Sequence, residues 1–284
     1  MSLIIKFIKR IRDEGIINSI RYTVNYLLFI LKIKYTTLRL TLLKLIKNPP
    51  LMISHGRYKL YFNDDGDYEE ILCHAHWKKY FTEESDNIKS YIKKGDTVID
   101  VGANIGLFTF LLSDLVGLKG KVYSYEPCAV SFEKLYKNIQ LNNLKNVEIF
   151  QHGMGSKEDT LEIYFHPRQG GLSSIVERVS ENCISEKITM TTLDRISNEI
   201  IGKISFIKID TEGYEPEVLM GGINLVQKNK PVLYLELGGK YQQASQKVLE
   251  ILKKMKYECE AYSIDLSTVP PGTNFIALPE GYAV

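Results

Sequence analysis

Asp100, Glu126, Asp210 and Glu236 each stand at or beside the end of a short apolar run: Thr97 to Val101, Lys121 to Glu126, Ile204 to Asp210 and Val232 to Leu237. A fifth run, Val147 to Gln151, leads into His152 and Gly153. Carboxylates in such places accept hydrogen bonds from ligand hydroxyls, balance a cation or take a proton. After Asp100 comes Gly102-Ala103-Asn104-Ile105-Gly106. Glycines flanking a strand-to-helix turn let the backbone approach a ligand and the helix pack close to the strand. The spacing is G-x-x-x-G, with neither the G-x-G-x-x-G pattern nor a P-loop, and Asp100 would repel a pyrophosphate. A cationic ligand suits the turn better.

Glu126 follows Gly102 by 24 residues, where a carboxylate meets a ribose diol in nucleotide-binding α/β folds. A ribose at Glu126-Pro127 and a cation-tolerant turn at Asp100, Gly102, Ala103, Asn104 and Gly106 together point to S-adenosylmethionine, and His152, just past the third strand, is either a base or a polar lip by the adenine. Methyl transfer from a sulfonium is an in-line displacement, so the protein must align the groups and remove the acceptor's proton. Asp210, Glu212 and Glu236 are the candidate catalytic residues for a hydroxyl acceptor. Asp210 has an alternative role as a cap for the helix that Pro216 opens, and Glu212 and Glu236 as ion-pair partners of Lys208 or another base. Asp210 and Glu236 sharing a divalent metal is a further alternative, but no third ligand is evident, so a metal-free site is expected.

Positioning these residues requires strands alternating with helices. Helical periodicity covers residues 105–116, 131–141, 215–228 and 242–256, between or after the apolar runs. That alternation predicts an α/β fold: a Rossmann-like, doubly wound parallel sheet covered on both faces, with the ligand beyond the carboxyl ends of its strands. Tyr257 to Asp265 and Asn274 to Leu278 read as an antiparallel C-terminal hairpin at one edge. The stretch from Thr160 to Thr191, with His166 and Ser173-Ser174, reads as an insertion that either covers the acceptor or decorates the surface. Three segments result: a basic amphipathic helical arm over 1–50, a strand and helix lead-in over 51–94, and the catalytic domain over 95–284.

Several stretches, in order, resemble the motifs of the FkbM family of S-adenosylmethionine-dependent methyltransferases. They are Val98 to Thr109, Tyr125-Glu126-Pro127, Asn138 to Asn143, Gly153-Met154-Gly155, Thr192-Leu193-Asp194, Lys208 to Gly213 and Pro231 to Glu236. The resemblance covers roughly residues 95–279. It implies a class I methyltransferase fold with seven strands, the last antiparallel, and methylation of a hydroxyl on a sugar, glycan or secondary metabolite. Gly153 stands where the family usually has Ala, which would loosen the adenine-side wall.

Charge separates the arm from the body. Residues 1–47 hold ten basic side chains and two acidic ones, whereas the whole 284-residue chain is only +2. The acidic body argues against a nucleic-acid surface and so against RNA as acceptor. Two competing readings are methylation of RNA or protein and a non-catalytic scaffold that keeps the fold. The arm's longest charge-free run, Tyr22 to Leu31, is ten residues, well short of the roughly 20 that span a bilayer. The arm therefore lies on an anionic membrane face or packs on protein. It ends at Asn48-Pro49-Pro50. Cys73, His74 and His76 look like metal ligands, but adjacent positions do not share a helix face, and a structural role is expected. Four cysteines without a C-x-x-C pair fit reduced thiols in a cytoplasmic protein, peripheral at the membrane if the arm binds lipid.

Overall fold

The computed structural model describes residues 51–55, 57–62, 81–166, 169–175, 183–239, 241–270 and 272–282, with Val24, Leu27, Leu28, Leu31, Lys34, Tyr35 and Leu38 of the arm. The 63–66 turn, the Cys73, His74 and His76 group and the rest of the arm lie outside the described residues.

Apolar runs with no polar alternation need cover on both faces, and they find it. Thr97–Val101 (β3), Lys121–Tyr125 (β4), Val147–Phe150 (β5), Ile204–Ile209 (β10) and Val232–Glu236 (β11) are strands, and all five residues of β3 are buried. They form one sheet in the order β12-β13-β11-β10-β3-β4-β5, where β12 is Tyr257–Cys259 and β13 is Asn274–Pro279. Strands β5, β4, β3, β10 and β11 pair in parallel, and β13 is antiparallel to both its neighbours. This is the expected Rossmann-like doubly wound sheet of seven strands with its antiparallel C-terminal hairpin. The chain runs outward from β3 through β4 to β5 and then returns to β10 on the other side of β3, so the switch point lies beyond Val101.

Two elements differ from expectation. The helix expected over 215–228 is two, Glu215–Met220 and Ile223–Asn229, broken at Gly221-Gly222. A Cβ on Gly221 would stand 1.9 Å from the Gly155 carbonyl oxygen, and one on Gly222 2.7 Å from Leu193, so close packing selects glycine and breaks the helix there. The strand expected over 257–265 stops at Cys259. Turns of 3-10 helix follow, the second opened by Asp265, whose carboxylate accepts the Ser267 N–H at 3.0 Å.

Before the sheet, Leu51–His55 (β1) and Tyr58–Phe62 (β2) form a hairpin. It is bound to helix Ala129–Leu141: Asn138 accepts the Tyr61 N–H at 2.7 Å, and Asn142 both accepts from and donates to the Lys59 backbone. Tyr58 stacks on Phe110. The insertion adds a second sheet, in the order β6-β9-β7-β8, from Gly153–Met154 (β6), Asp159–His166 (β7), Gln169–Ser174 (β8) and Ile184–Thr191 (β9). Ile163, Phe165, Ile188 and Met190 of this sheet pack on Cys128, which joins it to the start of helix Ala129–Leu141. Glu186 of β9 accepts the Ala129 N–H at 2.6 Å and fixes the same junction.

Candidate active site

The loop after β3 leaves the sheet in left-handed backbone at Gly102, Asn104 and Gly106. Gly102 has no room for a side chain, because its Cβ would sit 1.8 Å from the Asp210 carbonyl oxygen. A Cβ on Gly106 would meet Leu135 at 2.7 Å. Both glycines thus serve close approach within the protein, of β10 and of helix Ala129–Leu141, where the sequence suggested approach to a ligand as well. The N–H groups of Gly102 and Ala103 both donate to the Tyr125 carbonyl at 3.0 Å, which ties the loop to the end of β4.

Glu126 is 3% exposed. One carboxylate oxygen accepts the Asn104 N–H at 2.8 Å and the other the Cys128 N–H at 3.0 Å. Burial pushes the carboxyl up to about 7 against the pull of those two amides. Each oxygen keeps accepting capacity, and Glu126 lines the cleft.

Asp100 does not line that cleft. Fully buried, it accepts the Thr109 hydroxyl at 2.6 Å on one oxygen, and its other oxygen makes no hydrogen bond and faces the Lys208 ammonium at 3.6 Å. Lys208 also reaches Asp210 at 3.1 Å and the Gly102 carbonyl at 3.1 Å, above the Phe108 ring. Burial alone would lower the lysine's pKa, but the charges of Asp210 and Asp100 overcome it, so the ammonium keeps its proton. Asp100 therefore addresses Lys208 rather than the ligand space, and Lys208 pins the loop after β3 to the end of β10.

Asp210 and Glu236 end neighbouring strands and are hydrogen-bonded to each other. Burial and the adjacent Asp210 charge push Glu236 up to about 9, so it holds the shared proton at neutral pH. Burial would raise Asp210 too, yet Lys208 and the Glu236 hydrogen bond outweigh it and keep that carboxylate ionised. Glu236 is steadied by the Gly272 N–H at 2.8 Å. Asp210 does not cap the next helix. No side chain caps that helix; the Glu215 carboxylate instead braces the loop before it, accepting from the Thr211 N–H and hydroxyl and from the Gly213 N–H, at 2.8 to 3.2 Å. This bracing holds Glu212 and Gly213 in consecutive left-handed conformations, at φ 52° and 97°. Asp210, Glu212 and Glu236 offer oxygens within 4.8 Å of one another, so the third possible metal ligand that the sequence did not reveal is Glu212.

The cleft they enclose has a volume of about 210 Å³. Gly102, Asn104, Glu126, Pro127, His152 and Gly153 line one part, and Asp210, Glu212 and Glu236 another. Ala103 is instead buried in a core cluster with Phe110 and Leu135. Of sixteen described lining residues four are carboxylates and none is Lys or Arg, so the cleft favours a cationic guest over a phosphate. Beside Tyr125, Ile163 and Ile175 of the insertion and Tyr214 supply apolar surface that sequence reasoning missed. The insertion thus walls the cleft, although the side chains of His166, Ser173 and Ser174 lie outside the described residues. Gly153 leaves no gap where the larger residue was expected: Met190, opposite it in register, brings its sulfur to 2.4 Å from where a Cβ would be.

The sequence signature of the methyltransferase FkbM domain matches residues 100–259. Methyltransferase 1 of Beauveria bassiana is 25% identical over 143 residues, covering 44% of this chain and 57% of that protein. The hexuronic acid methyltransferase AglP of Haloferax volcanii is 27% identical over 135 residues, covering 48% of this chain and 53% of that protein. The chain thus spans little more than half the length of these curated relatives. A solved methyltransferase FkbM from Methylobacillus flagellatus KT superposes with a TM-score of 0.45 at 15% identity, over 74% of this chain and 53% of that one.

Proposed function

We infer that this chain, which belongs to the FkbM methyltransferase family, transfers a methyl group from S-adenosylmethionine to a hydroxyl of a sugar or glycan-like acceptor. The observation that carries the reading is the carboxylate-lined, Lys- and Arg-free cleft at the switch point, with Glu126 on one strand end and the Asp210–Glu236 pair on two others. Those residues suit the donor. Glu126, an acceptor in its ionised form and fixed by two backbone amides, matches a ribose diol, and the acidic lining matches an ammonium and a sulfonium. Bound there, the donor supplies a methyl group already activated on sulfur. The protein's part is alignment and proton removal. Asp210, ionised and held between Lys208 and the Glu236 proton, is the base that takes the acceptor's hydroxyl proton. Glu212 and Glu236 offer further hydrogen-bond partners to acceptor hydroxyls.

The sugar acceptor class follows the hexuronic acid methyltransferase among the relatives, and the absence of cationic lining among the described residues favours a neutral sugar over a uronate. The test is incubation of the purified chain with methyl-labelled S-adenosylmethionine and separate hexuronic acid, neutral sugar, RNA and protein fractions. Label in the sugar fractions supports the reading. Label confined to RNA or protein moves the acceptor class, and failure to bind the donor in calorimetry sinks the donor assignment.

A further inference from the structure

Each of the five parallel strands is entered through a loop that carries an exposed lysine: Lys93 and Lys94 before β3, Lys119 before β4, Lys145 before β5, Lys203 before β10 and Lys230 before β11. Register sets Thr97 beside both Lys121 and Ile204, so these loops share one end of the sheet, and the carboxylate-lined cleft lies at the other. Neighbouring strands stand about 4.8 Å apart, which spreads the lysines along an edge about 20 Å wide. Within residues 93–96, 117–120, 142–146, 197–203 and 230–231 the acids are Asp96 and Glu199, and both are engaged. Asp96 accepts the Lys93 N–H and the Ser205 hydroxyl, each at 2.9 Å, and Glu199 pairs with Arg195 at 2.5 Å. Lys94 reaches the Asp114 carbonyl, but the other five ammonium groups have no ion-pair partner among the described residues.

The same loops hold two aliphatic side chains in water: Leu118, beside Lys119, is 91% exposed, and Ile201, two residues from Lys203, is 84% exposed. Both turns are tied to the loop and strand between them. The Gly95 N–H donates to the Val116 carbonyl at 2.8 Å, the Lys121 N–H to the Asp96 carbonyl at 2.9 Å, and the Thr97 hydroxyl to the Ile201 carbonyl at 3.4 Å. We propose that this end of the sheet docks on an anionic lipid surface, with its lysines on the lipid phosphates and Leu118 and Ile201 between the headgroups. RNA is the competing polyanion, and the lysines alone would suit it. Single-stranded bases, however, are held by aromatic rings or arginine, and these five loops contain neither. Exposed aliphatic tips gain from an acyl boundary instead. Docking by this end leaves the cleft open to water.

Flotation of the full chain with phosphatidylcholine vesicles, with and without phosphatidylglycerol, tests this. Binding should require phosphatidylglycerol and weaken as salt rises from about 0.1 M to about 1 M, where the screening length falls from about 10 Å to about 3 Å. Lys119→Gln with Lys203→Gln should weaken it by about fivefold per charge. Leu118→Ser with Ile201→Ser, which leaves the charge unchanged, should weaken it by about tenfold. Leu118→Trp should add an emission that brominated acyl chains quench. All three variants should bind S-adenosylmethionine as the unaltered chain does, which reports that they are folded and that the far end of the sheet is untouched. Equal binding to neutral vesicles, or indifference to either double substitution, overturns the proposal. So does a chain that fails to float with anionic vesicles and retards RNA in a gel.

Discussion

The carboxyl groups of Asp210 and Glu236 are hydrogen-bonded across the ends of strands β10 and β11, with Lys208 on the far side of Asp210. Two acids so placed cannot both ionise cheaply, and the pair resolves the conflict by letting Glu236 keep the proton. An acid whose pKa is raised by folding contributes stability that is complete below its ordinary value near 4.5 and lost as pH rises through about 9. The melting temperature of the native chain should therefore fall relative to that of Glu236→Gln across that interval. The glutamine keeps a donor for Asp210 and an acceptor for Gly272 at every pH. Glu126, raised to about 7, contributes to both proteins alike, so the difference between the two melting curves is the quantity to read. Parallel curves would assign the proton elsewhere.

Asp210→Asn should lower turnover by about 100-fold or more with little change in donor affinity, since it keeps the shape and removes the basicity. Turnover of the unaltered chain should survive EDTA. Loss with EDTA and recovery with magnesium would give Asp210, Glu212 and Glu236 to a cation, for which their oxygens are close enough.

Glu126→Ala removes the acceptor of two backbone N–H groups as well as the proposed ribose contact. Calorimetry should show donor affinity down by about 100-fold, as expected when charge-assisted hydrogen bonds of about 1.5 to 3 kcal/mol are lost and water compensates in part. The orphaned Asn104 and Cys128 amides should lower the melting temperature too. Unchanged affinity in a folded variant would move the ribose away from Glu126.

Most of this site was legible because the strand ends are marked by abrupt changes of residue type. Ile99-Asp100 and Ile209-Asp210 switch from apolar to charged within one residue, and the glycine needed at the β3 turn is visible as such. Less visible was which carboxylate faces which partner. Asp100 and Asp210 look equivalent in sequence, yet strand register puts Lys208 beside Asp100, leaving one acid as a buried counter-ion and the other in the cleft. Ile163, Ile175 and Tyr214 were hidden for a different reason. They reach the cleft through the folding of the insertion and the loop after β10, long-range placement that no local pattern encodes. Glu215 was overlooked because a glutamate opening a helix reads as a charge on the first turn, whereas here it braces the loop that carries Asp210 and Glu212.

Gly102→Ala should disrupt the site at its root. The left-handed backbone there, at φ 77°, costs an alanine about 1 to 2 kcal/mol, and the overlap with the Asp210 carbonyl adds about 1 to 3 kcal/mol more. Chemical denaturation should show a loss of about 3 kcal/mol, and donor binding should weaken with it. A variant of native stability would mean that β3 and β10 separate more easily than their packing implies.

Gly153 and Met190 provide the last test, because the room that one lacks is taken by the other. The two face each other in the β6–β9 pairing, and Met190 is 2% exposed. Alanine at 153 is not strained by backbone conformation, since Gly153 has no positive φ. Its main obstacle is the Met190 side chain, at 2.4 Å from the sulfur and 2.9 Å from the terminal methyl, while Ile188 stands at 3.4 Å. Gly153→Ala alone should cost about 1 to 3 kcal/mol as overpacking, and Met190→Ala alone about 2 to 5 kcal/mol as a cavity. Removing the methionine removes the obstacle, so the double variant should be more stable than the sum predicts by at least about 0.5 kcal/mol. Denaturant unfolding of the four proteins measures that coupling. Additive losses would show that the cleft wall near His152 yields by backbone movement, and that the methionine does not set the space beside Gly153.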